Sequence, residues 1–364
     1  MRILVVNAGS SSLKLRVLDD GDRVVAAADL PAPRGEADEP AVAEAVEGFG
    51  KVDAAGHRIV HGGTEFAAAV AIDAGVTARL RALTDLAPLH QPKSLAALEA
   101  VNRALPGVPA VACFDTAFHA GMPAAASTYA VPPEWRRRWG LRRFGFHGLS
   151  HAYAARRAAE LLGRDPAGLR VVTCHLGAGA SLAAVLGGRS VDTTMGFTPL
   201  EGLVMATRSG SVDPGLLLWL EEHAGTPPAE LGDALEHRSG LLGLAGTADM
   251  RAILERADDG DQEAGLALEV YLHRLRGGVA AMAASLGGLD ALVFTGGVGE
   301  NSAGVRARAC DGLGFLGVRV DAEANAAGGG DRRIGAGGAP VAVLVVAARE
   351  DLEIAREVRR LLAA

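Results

Sequence analysis

Two segments half a chain apart share a pattern of apolar and polar positions. The first starts with the apolar run ILVV, passes through a Gly/Ser-rich segment and then alternates at Leu13, Leu15 and Val17. Alternation with a period of two is typical of a half-buried strand, so the segment predicts strand, turn and strand. The second, RVVTCHLGAGASLAAVLGGR at 170–189, predicts the same hairpin. Either the fold is duplicated with a ligand between the copies, or two Gly-rich hairpins resemble each other by chance.

Helical spacing and end signals predict helices between these hairpins. Leu95, Leu98 and Leu105 recur as they would on one face of a helix. Serine or aspartate as N-cap and proline in the first turn mark helix starts. The predicted helices start at Pro92, at Ser150 as N-cap, at Asp213 as N-cap followed by Pro214, and at Asp351 near the end of the chain.

Two apolar runs late in the chain predict buried strands. GLDALVFTGGVGENS at 288–302 predicts a strand that ends in a glycine turn, and APVAVLVVAARED at 339–351 predicts one that leads into the final helix. The Ala/Glu/Pro-rich stretch 32–50 and the Gly-rich stretch 326–340 are typical of surface loops. Strands that alternate with helices, joined by hairpins and crossovers, indicate an α/β architecture.

Length, charge and cysteine content exclude several classes of protein. A chain of 364 residues exceeds one ordinary core, so we expect two lobes of roughly 100 to 200 residues with the active site between them. The net charge of -7 argues against a nucleic-acid partner. Three widely spaced cysteines without a CxxC pair fit a reducing cytoplasm. No apolar run approaches the roughly 18 residues that span a bilayer, so we expect a cytoplasmic protein without a membrane partner.

Two basic residues stand in turns that would suit an anion. In TRSGSVDPG at 207–215, Arg208 lies in a glycine-rich loop just before the helix start at Asp213. A fixed arginine beside the positive end of a helix dipole favours an anion, and a phosphate above all. Lys14, one of only three lysines, lies in the first Gly/Ser-rich turn, where a compact ammonium suits a phosphate oxygen. With so few lysines, chance placement is a fair alternative.

Motifs of other nucleotide enzymes are missing from the sequence. There is no GxxxxGK[ST] and no HRD or DFG set, which excludes P-loop proteins and protein kinases. HLGAGAS and GGVGENS only approach a dinucleotide fingerprint, so a Rossmann dehydrogenase is poorly supported. Histidines are concentrated in Gly- or turn-rich segments more than core packing explains, and without HExxH they do not predict zinc. These histidines are His57, His61, His90, His119, His147, His151 and His175.

Three charged residues have both a functional and an ordinary explanation. Arg58 stands at a predicted strand start, where a surface arginine is the plain alternative. Asp115 follows the apolar VPAVACF and lies at the carboxyl end of a predicted strand, where α/β folds bind ligands. Its plain alternative is a turn cap. Glu350 opens the last helix, where a carboxylate complements the helix dipole in any case.

Nine motifs, taken together and in order, make the chain similar to the acetate kinase family along nearly its whole length. The resemblance implies a duplicated actin-like ATPase (ribonuclease H-like) fold, with two lobes of mixed sheets flanked by helices. It implies an N-terminal lobe of 1–116 plus 351–364 for the acyl and phosphate groups, and a nucleotide-binding lobe of 117–350. The motifs are VVNAGSSSLK, HRIVHGG, LAPLHQP, FDTAFH, RRFGFHGLSH, CHLGAGAS, DTTMGFTPLEGLVMATRSGSVDP, DMR and FTGGVGENS.

The same resemblance implies a role for each site residue. Arg58 anchors the acyl carboxylate, and Arg208 and His147 hold the oxygens of the transferring phosphoryl group. Asn7 and Glu350 hold Mg²⁺, or Mn²⁺ in its place, mostly through water, with Asp115 as the acidic partner of substrate and metal. The residues implied for phosphate and for ATP or ADP are Ser10, Ser12, Lys14, His175, Leu176, Gly177, Ala178, Gly179, Asp249, Met250, Arg251, Gly297, Val298, Gly299, Glu300 and Asn301.

A small apolar acyl pocket follows from the resemblance as well. The family's pocket maps to Val60, Leu89, Phe146 and Pro199, all bulky enough to fill the space around a methyl group. Acetate should therefore fit best and propionate second, because one methylene discriminates by only about 1 to 3 kcal/mol.

Several positions depart from the family pattern. The phosphate loop has Ala178 and Ala180 in place of the usual polar side chains, Gln91 replaces an asparagine, and Ala348 and Arg349 replace Thr-Asn before the metal-site glutamate. The segment between Leu18 and His57 is also shorter than usual. These changes bear on metal geometry, turnover and phosphate donor.

The sequence thus predicts a cytoplasmic, homodimeric, Mg²⁺-dependent acetate kinase. It would interconvert ATP plus acetate with ADP plus acetyl phosphate by direct in-line transfer. Two alternatives stay open: a kinase for propionate or another short-chain acid, and a nucleotide-binding protein with impaired turnover. A carboxylate substrate is already ionised at pH 7, so the reaction needs positioning and charge neutralisation instead of a general base.

Overall fold

The chain packs into two compact units in the computed structural model, which describes residues 1–9, 12–32, 38–87 and 91–363. Unit 1 comprises Met1–Gly121, Phe146–Tyr153 and Arg349–Ala364, and unit 2 comprises Met122–Gly145 and Ala154–Ala348. The expected lobe boundaries assigned 117–121, 146–153 and 349–350 to the second lobe, whereas these residues pack with unit 1. Unit 1 therefore contains Asn7, Arg58, Asp115, His147 and Glu350 together.

Unit 1 is built on a six-stranded mixed sheet with the order β3-β2-β1-β4-β6-β5. The predicted N-terminal hairpin is its antiparallel part, because β1 pairs with β2 and β2 with β3. The remaining pairs β1/β4 and β4/β6 are parallel, and the short edge strand β5 is antiparallel to β6. The strands are β1 Ile3–Ala8, β2 Ser12–Leu18, β3 Val24–Pro31, β4 Ala54–Ile59, β5 Val70–Ala71 and β6 Ala110–Phe114.

Unit 2 repeats this topology strand for strand. Its sheet has the order β9-β8-β7-β10-β12-β11, with β9/β8/β7 antiparallel, β7/β10/β12 parallel and the edge strand β11 antiparallel to β12. The predicted duplicated α/β fold with mixed sheets is therefore confirmed. The strands are β7 Arg170–Leu176, β8 Ala180–Leu186, β9 Arg189–Thr193, β10 Ala291–Thr295, β11 Arg332–Arg333 and β12 Ala342–Val345.

Helices flank both sheets. Three of the four predicted helices are confirmed, with starts within one residue of those predicted: α3 starts at Gln91, the Asp213 side chain caps α7 by accepting from the Gly215 N–H, and α15 starts at Glu350. The helices are α1 Glu39–Gly48, α2 Ala74–Ala82, α3 Gln91–Ala104, α4 Ala124–Ser127, α5 Pro133–Trp139, α6 Gly148–Leu162, α7 Pro214–Ala224, α8 Pro228–His237, α9 Gly240–Ala245, α10 Met250–Asp258, α11 Gln262–Leu286, α12 Gly296–Asn301, α13 Ala303–Asp311, α14 Ala322–Ala326 and α15 Glu350–Leu362.

Three local predictions are wrong, and a fourth is wrong in part, because the stretch 326–340 that was expected to be a surface loop contains strand β11. The stretch 32–50 is not all loop, because α1 buries Val42 and Val46 on one face. Ser150 is not an N-cap but lies inside α6, which starts two residues earlier. The glycine turn expected after β10 is the helix α12, whose first N–H is accepted by the Glu300 carboxylate at 3.0 Å. For α1, burial of apolar side chains on one helix face outweighs the local composition.

The core of unit 1 lies on both faces of its sheet. Alternate residues of β1 and β2 pack against α1 and α3, and Ile3 and Val5 on the other face pack against α15. A close approach is required at Gly56 on β4, because a Cβ there would lie 2.5 Å from Ile354 Cγ2 and 2.7 Å from Val358 Cγ2. Helix α15 can therefore press onto β4 only because that position has no side chain, and this contact anchors the helix that begins at Glu350.

The described helices were also searched for membrane spans. None of those helices combines the length and the hydrophobicity that a bilayer crossing requires.

Candidate active site

Three polar side chains of unit 1 lie at the same edge of its sheet. Asn7 is near the end of β1, Arg58 is the penultimate residue of β4 and Asp115 directly follows β6. These strands are parallel neighbours, so their carboxyl ends meet. The expectation that Arg58 stands at a strand start is wrong. Strand β4 begins earlier, at Ala54, where small residues of low strand propensity conceal it from the sequence pattern.

Arg58 is held in place by a network of hydrogen bonds. Its Nε and Nη2 donate to the two oxygens of Asp115 at 3.0 and 2.6 Å, and its Nη1 donates to Asn7 Oδ1 at 3.1 Å. The Asn7 amide in turn donates to Glu350 Oε2 at 2.8 Å, and that oxygen lies 3.8 Å from Arg58 Nε. The guanidinium is therefore fixed by the ends of three strands and the first residue of α15.

Burial and charge act in opposite directions on this network. Burial raises the pKa of the Asp115 carboxyl, and the charge and hydrogen bonds of Arg58 oppose that rise. Burial alone would lower the pKa of Arg58, but the Asp115 and Glu350 carboxylates raise it. Arg58 thus stays a cation at every physiological pH.

His147 occupies a strained position next to this network. Its φ of 55° lies in the left-handed region, which is rare for residues other than glycine. Gly148 follows with its N–H donated to the Asp115 carbonyl at 2.9 Å, and a Cβ there would lie 2.2 Å from that oxygen. The His147 backbone also forms a hydrogen bond with the Asp115 carboxylate. The structure therefore brings His147 and Asp115 together through the backbone.

The other predicted site residues of unit 1 that the structure describes are not part of the hydrogen-bond network around Arg58. Lys14 is exposed on β2, directly opposite Asn7 in the hairpin, and Ser12 starts the same strand with its carbonyl accepting the Gly9 N–H. Val60 and Phe146 are buried, and the Phe146 ring lies edge-on to His61 at 5.4 Å. Two predicted residues, Ser10 and Leu89, lie outside the described part of the chain.

Arg208 belongs to unit 2 and has an acidic partner there. Its Nε lies 2.9 Å from Glu236 Oε2 on α8, and its Nη1 donates to the Pro199 carbonyl at 3.4 Å. The loop around it is shaped by glycines: a Cβ on Gly240, at φ +63°, would lie 2.3 Å from the Met205 carbonyl and 2.6 Å from that of Arg208. Arg208 and Pro199 are thus neighbours within unit 2.

A cavity of about 670 Å³ in unit 2 gathers the three predicted ATP segments. Eight predicted residues line it, whereas His175, Leu176, Gly179, Gly299 and Glu300 are not part of the lining. Glu300 instead accepts the backbone N–H groups of Gly296 and Ala348 at 3.0 and 2.9 Å. The predicted residues in the lining are Gly177, Ala178, Asp249, Met250, Arg251, Gly297, Val298 and Asn301.

The donor set for a metal in unit 1 is made of oxygens. Asp115 and Glu350 supply carboxylates and Asn7 an amide oxygen, all within the Arg58 network. Hard cations such as Mg²⁺ prefer such donors and keep several waters. Across the described ranges, no group of three or more His, Cys, Asp or Glu side chains is arranged to hold a metal ion. The residues therefore fit a cation bound partly through water.

Comparison with known proteins decides the family. The model of the acetokinase family matches residues 36–356 of the chain. The chain belongs to the acetokinase family. This member is 53% identical over 309 residues to the acetate kinase of Gloeobacter violaceus, covering 84% of this chain and 76% of that protein.

Solved structures resemble this acetokinase family member over its full length. It is 36% identical to acetate kinase of Porphyromonas gingivalis and 35% identical to a propionate kinase of Francisella tularensis. Both comparisons have a TM-score of 0.90 and cover 99% of each chain. The suspected family is thereby confirmed.

Sequence reasoning missed several residues of the sites in this acetokinase family member. Glu236 looks like a surface residue of an amphipathic helix, so nothing in the sequence marks it as the partner of Arg208. Ser302 is the last residue of the motif FTGGVGENS and Ala303 directly follows it, so both could have been added by proximity. Tyr271 lies in the middle of α11 at a core position, where periodicity alone indicates packing. The missed lining residues are Ala206, Leu241, Ala248, Leu254, Glu255, Tyr271, Ser302 and Ala303.

Proposed function

We propose that the chain catalyses reversible phosphoryl transfer between ATP and acetate, giving ADP and acetyl phosphate. Membership of the acetokinase family makes it a phosphotransferase with a carboxyl group as acceptor. The observation that carries the proposal is the number of N–H donors on Arg58 that the described residues around it leave unused. A guanidinium has five N–H donors, and the contacts to Asp115 and Asn7 among the described residues use three of them.

The remaining N–H groups of Arg58 suit a carboxylate. One belongs to each terminal nitrogen, since Nη1 and Nη2 each make one of the hydrogen bonds above. Two donors on adjacent nitrogens form the fork that binds a carboxylate or an acyl phosphate in a bidentate manner. Because Asp115 and Asn7 fix the plane of the guanidinium, little entropy is lost when the anion binds.

Charge neutralisation accounts for the other catalytic assignments. An ionised acetate needs no general base, and the transition state concentrates negative charge on the transferred phosphoryl group. We assign to Arg208 and His147 the role of binding the oxygens of this phosphoryl group. Lys14 and Ser12 are assigned as further contacts of the phosphates. Preorganised donors of this kind are typically worth about 3 kcal/mol each. The left-handed backbone of His147 supports this role, since strain is often retained where a side chain must be positioned.

The cavity of unit 2 is assigned to ATP and ADP. Its volume of about 670 Å³ is in the range of small-molecule sites. It combines apolar walls with the exposed pair Arg251 and Asp249, whose Nη2 and Oδ2 lie 3.4 Å apart. An apolar cavity with a few polar groups at one end matches a nucleoside, which has flat hydrophobic faces and a polar edge.

Asn7 and Glu350 would hold Mg²⁺, with Mn²⁺ as a substitute. The bound cation would neutralise phosphate charge. The carboxylate of Glu350 is kept at this position by the Asn7 amide, and the Arg58 guanidinium lies close to both. Glu350→Gln should raise the Mg²⁺ concentration for half-maximal activity while ADP still binds without metal, as calorimetry can measure. An unchanged Mg²⁺ requirement would contradict this assignment.

Acetate is the proposed substrate, and propionate is the second candidate. Val60 and Phe146, two of the four residues that the family resemblance implies for a small acyl pocket, are buried in unit 1. The similarity to a protein described as propionate kinase, at 35% identity, is the observation that favours the second candidate.

Kinetics with acetate, propionate and butyrate tests these candidates. We expect kcat/KM to fall in that order, by roughly 10- to 200-fold for each added methylene. A higher kcat/KM for propionate than for acetate would select the second candidate. Turnover with none of the three acids would reject both.

A homodimer and a cytoplasmic location complete the proposal. Helix α7 exposes Leu216, Leu218 and Trp219, with exposed fractions of 47%, 64% and 54%, and such side chains are suited to contact a second copy. Cys113, Cys174 and Cys310 are free thiols, which fits a reducing compartment. Light scattering should give twice the mass of the 37.2 kDa chain, and a mass of one chain would contradict the dimer. Cell fractionation checks the compartment.

A further inference from the structure

We propose that the Tyr271 hydroxyl donates a hydrogen bond to the nucleoside part of the bound nucleotide and thereby contributes to nucleotide specificity. Tyr271 lies on α11 and lines the cavity of unit 2. Its side chain is 4% exposed, and within the described part of the chain its hydroxyl oxygen has no hydrogen-bond partner.

A buried tyrosine without a partner needs an explanation. A hydroxyl that leaves water without gaining a hydrogen bond destabilises the protein, and phenylalanine would fill the same space without that cost. Buried tyrosines usually find a partner for this reason. The other tyrosine of unit 2 is only half-buried and still has partners, because Tyr129 donates to Glu201 Oε2 at 2.5 Å and accepts the Phe197 N–H at 2.8 Å.

The surroundings of Tyr271 leave the hydroxyl available as a donor. Burial raises its pKa, with a further contribution from the buried Cys174, so the phenol keeps its proton. The Cys174 thiol is near enough to affect this pKa but makes no hydrogen bond with it. Tyr271 lines the cavity together with Met250 and Val298, so a molecule bound there is the candidate that could bring an acceptor to the hydroxyl.

A nucleoside is the occupant that supplies such an acceptor. Its ring nitrogens and sugar oxygens accept hydrogen bonds, and its flat base suits the apolar side chains of Leu241, Leu254 and Val298 in the same cavity. A site that pairs a buried polar group with the ligand rejects analogues lacking the matching atom, because the protein group would be left unpaired. The Tyr271 hydroxyl would therefore distinguish between nucleotides.

The test compares wild type with Tyr271→Phe in the full chain, and it rests on the proposed function only in using a nucleotide as probe. Without ligand, Tyr271→Phe should unfold at a higher temperature, because the unpaired hydroxyl is gone. In calorimetry it should bind ADP and adenosine more weakly than wild type, by roughly threefold to tenfold for each. Equal losses for both ligands place the contact on the nucleoside.

Tyr129→Phe is the matched control. It should lower the unfolding temperature, because Glu201 and the Phe197 N–H lose a partner, and leave the affinity for ADP unchanged. A Tyr271→Phe variant that is more stable yet binds ADP as wild type does would overturn the inference and leave the proposed function intact. A loss with ADP but not with adenosine would also overturn it, since the contact would be with phosphate. A wild type that binds neither ligand would instead reject the nucleotide site itself.

Discussion

Arg58 illustrates what a sequence can predict of a single residue. The motif around it marks the position, but an isolated arginine could equally be a surface residue. What the sequence could not supply is the orientation, because Asn7, Asp115 and Glu350 are brought to Arg58 by three strands and the last helix. Glu236, the partner of Arg208, was not predictable for the same reason.

His57, the neighbour of Arg58, makes stability depend on pH. It is 1% exposed, and neither ring nitrogen has a hydrogen-bond partner within the described ranges. Burial lowers its pKa from 6.5 to about 4. Between these values the unfolded chain binds the proton more readily, so stability is complete above about pH 6.5 and falls as the pH falls towards 4.

Replacing this histidine should remove part of that dependence. Between pH 7.5 and pH 5, protonation of His57 in the unfolded chain costs wild type about 2 kcal/mol of unfolding free energy. Between the same two pH values, the unfolding free energy of His57→Leu should fall by about 2 kcal/mol less than that of wild type. Urea unfolding at both pH values measures the difference. His273→Leu, at an exposed position, is the control and should retain the wild-type pH dependence. Equal losses in wild type and His57→Leu would refute this account.

Among the helices and strands, strong periodicity and helix-capping signals predicted the elements correctly, whereas amino-acid composition alone did not. Helix α7 begins as its Asp-Pro signal predicts, and β12 leads into α15 as expected. Helix α12 has a sequence typical of a turn, GGVGEN, and is helical through tertiary contacts. The buried Arg306 on α13, the next helix in the chain, donates to the carbonyls of Gly299 and Glu300 at 2.9 and 2.8 Å and so caps the last turn of α12.

The contact between β4 and α15 gives a prediction at this scale. Gly56→Ala should lower the free energy of unfolding by about 1 to 3 kcal/mol, because its Cβ would clash with the branched side chains of Ile354 and Val358. Gly277→Ala on α11 is the matched control. A Cβ there meets nothing within 4 Å, so removing a glycine from a helix interior should stabilise by up to about 1 kcal/mol. Denaturant titration checks both, and a Gly56→Ala variant as stable as wild type would refute the close packing.

For the whole molecule, the family resemblance carried more information than the repeated hairpin. The similarity between the N-terminal hairpin and 170–189 left duplication and chance both open, the resemblance implied duplication, and the two sheets have the same order and strand directions. The segment Phe146–Tyr153, which includes the start of α6, joins unit 1 although the chain before and after it belongs to unit 2. Contacts between residues distant in sequence decide which unit a segment belongs to. The boundaries of the units were therefore less predictable from the sequence than the topology of the sheets.

The central claim is that a fixed Arg58 presents an acyl carboxylate for phosphoryl transfer from ATP. The most direct measurement is acetyl phosphate formation from ATP, acetate and Mg²⁺, trapped as the hydroxamate, by wild type and Arg58→Lys. We predict turnover by wild type and a kcat/KM for acetate reduced by roughly tenfold to a hundredfold in Arg58→Lys, which keeps the charge and loses the fork. ADP should bind both proteins equally, since the cavity belongs to unit 2. A wild type that binds ADP and forms no acetyl phosphate, or an Arg58→Lys variant with wild-type kcat/KM, would contradict the claim.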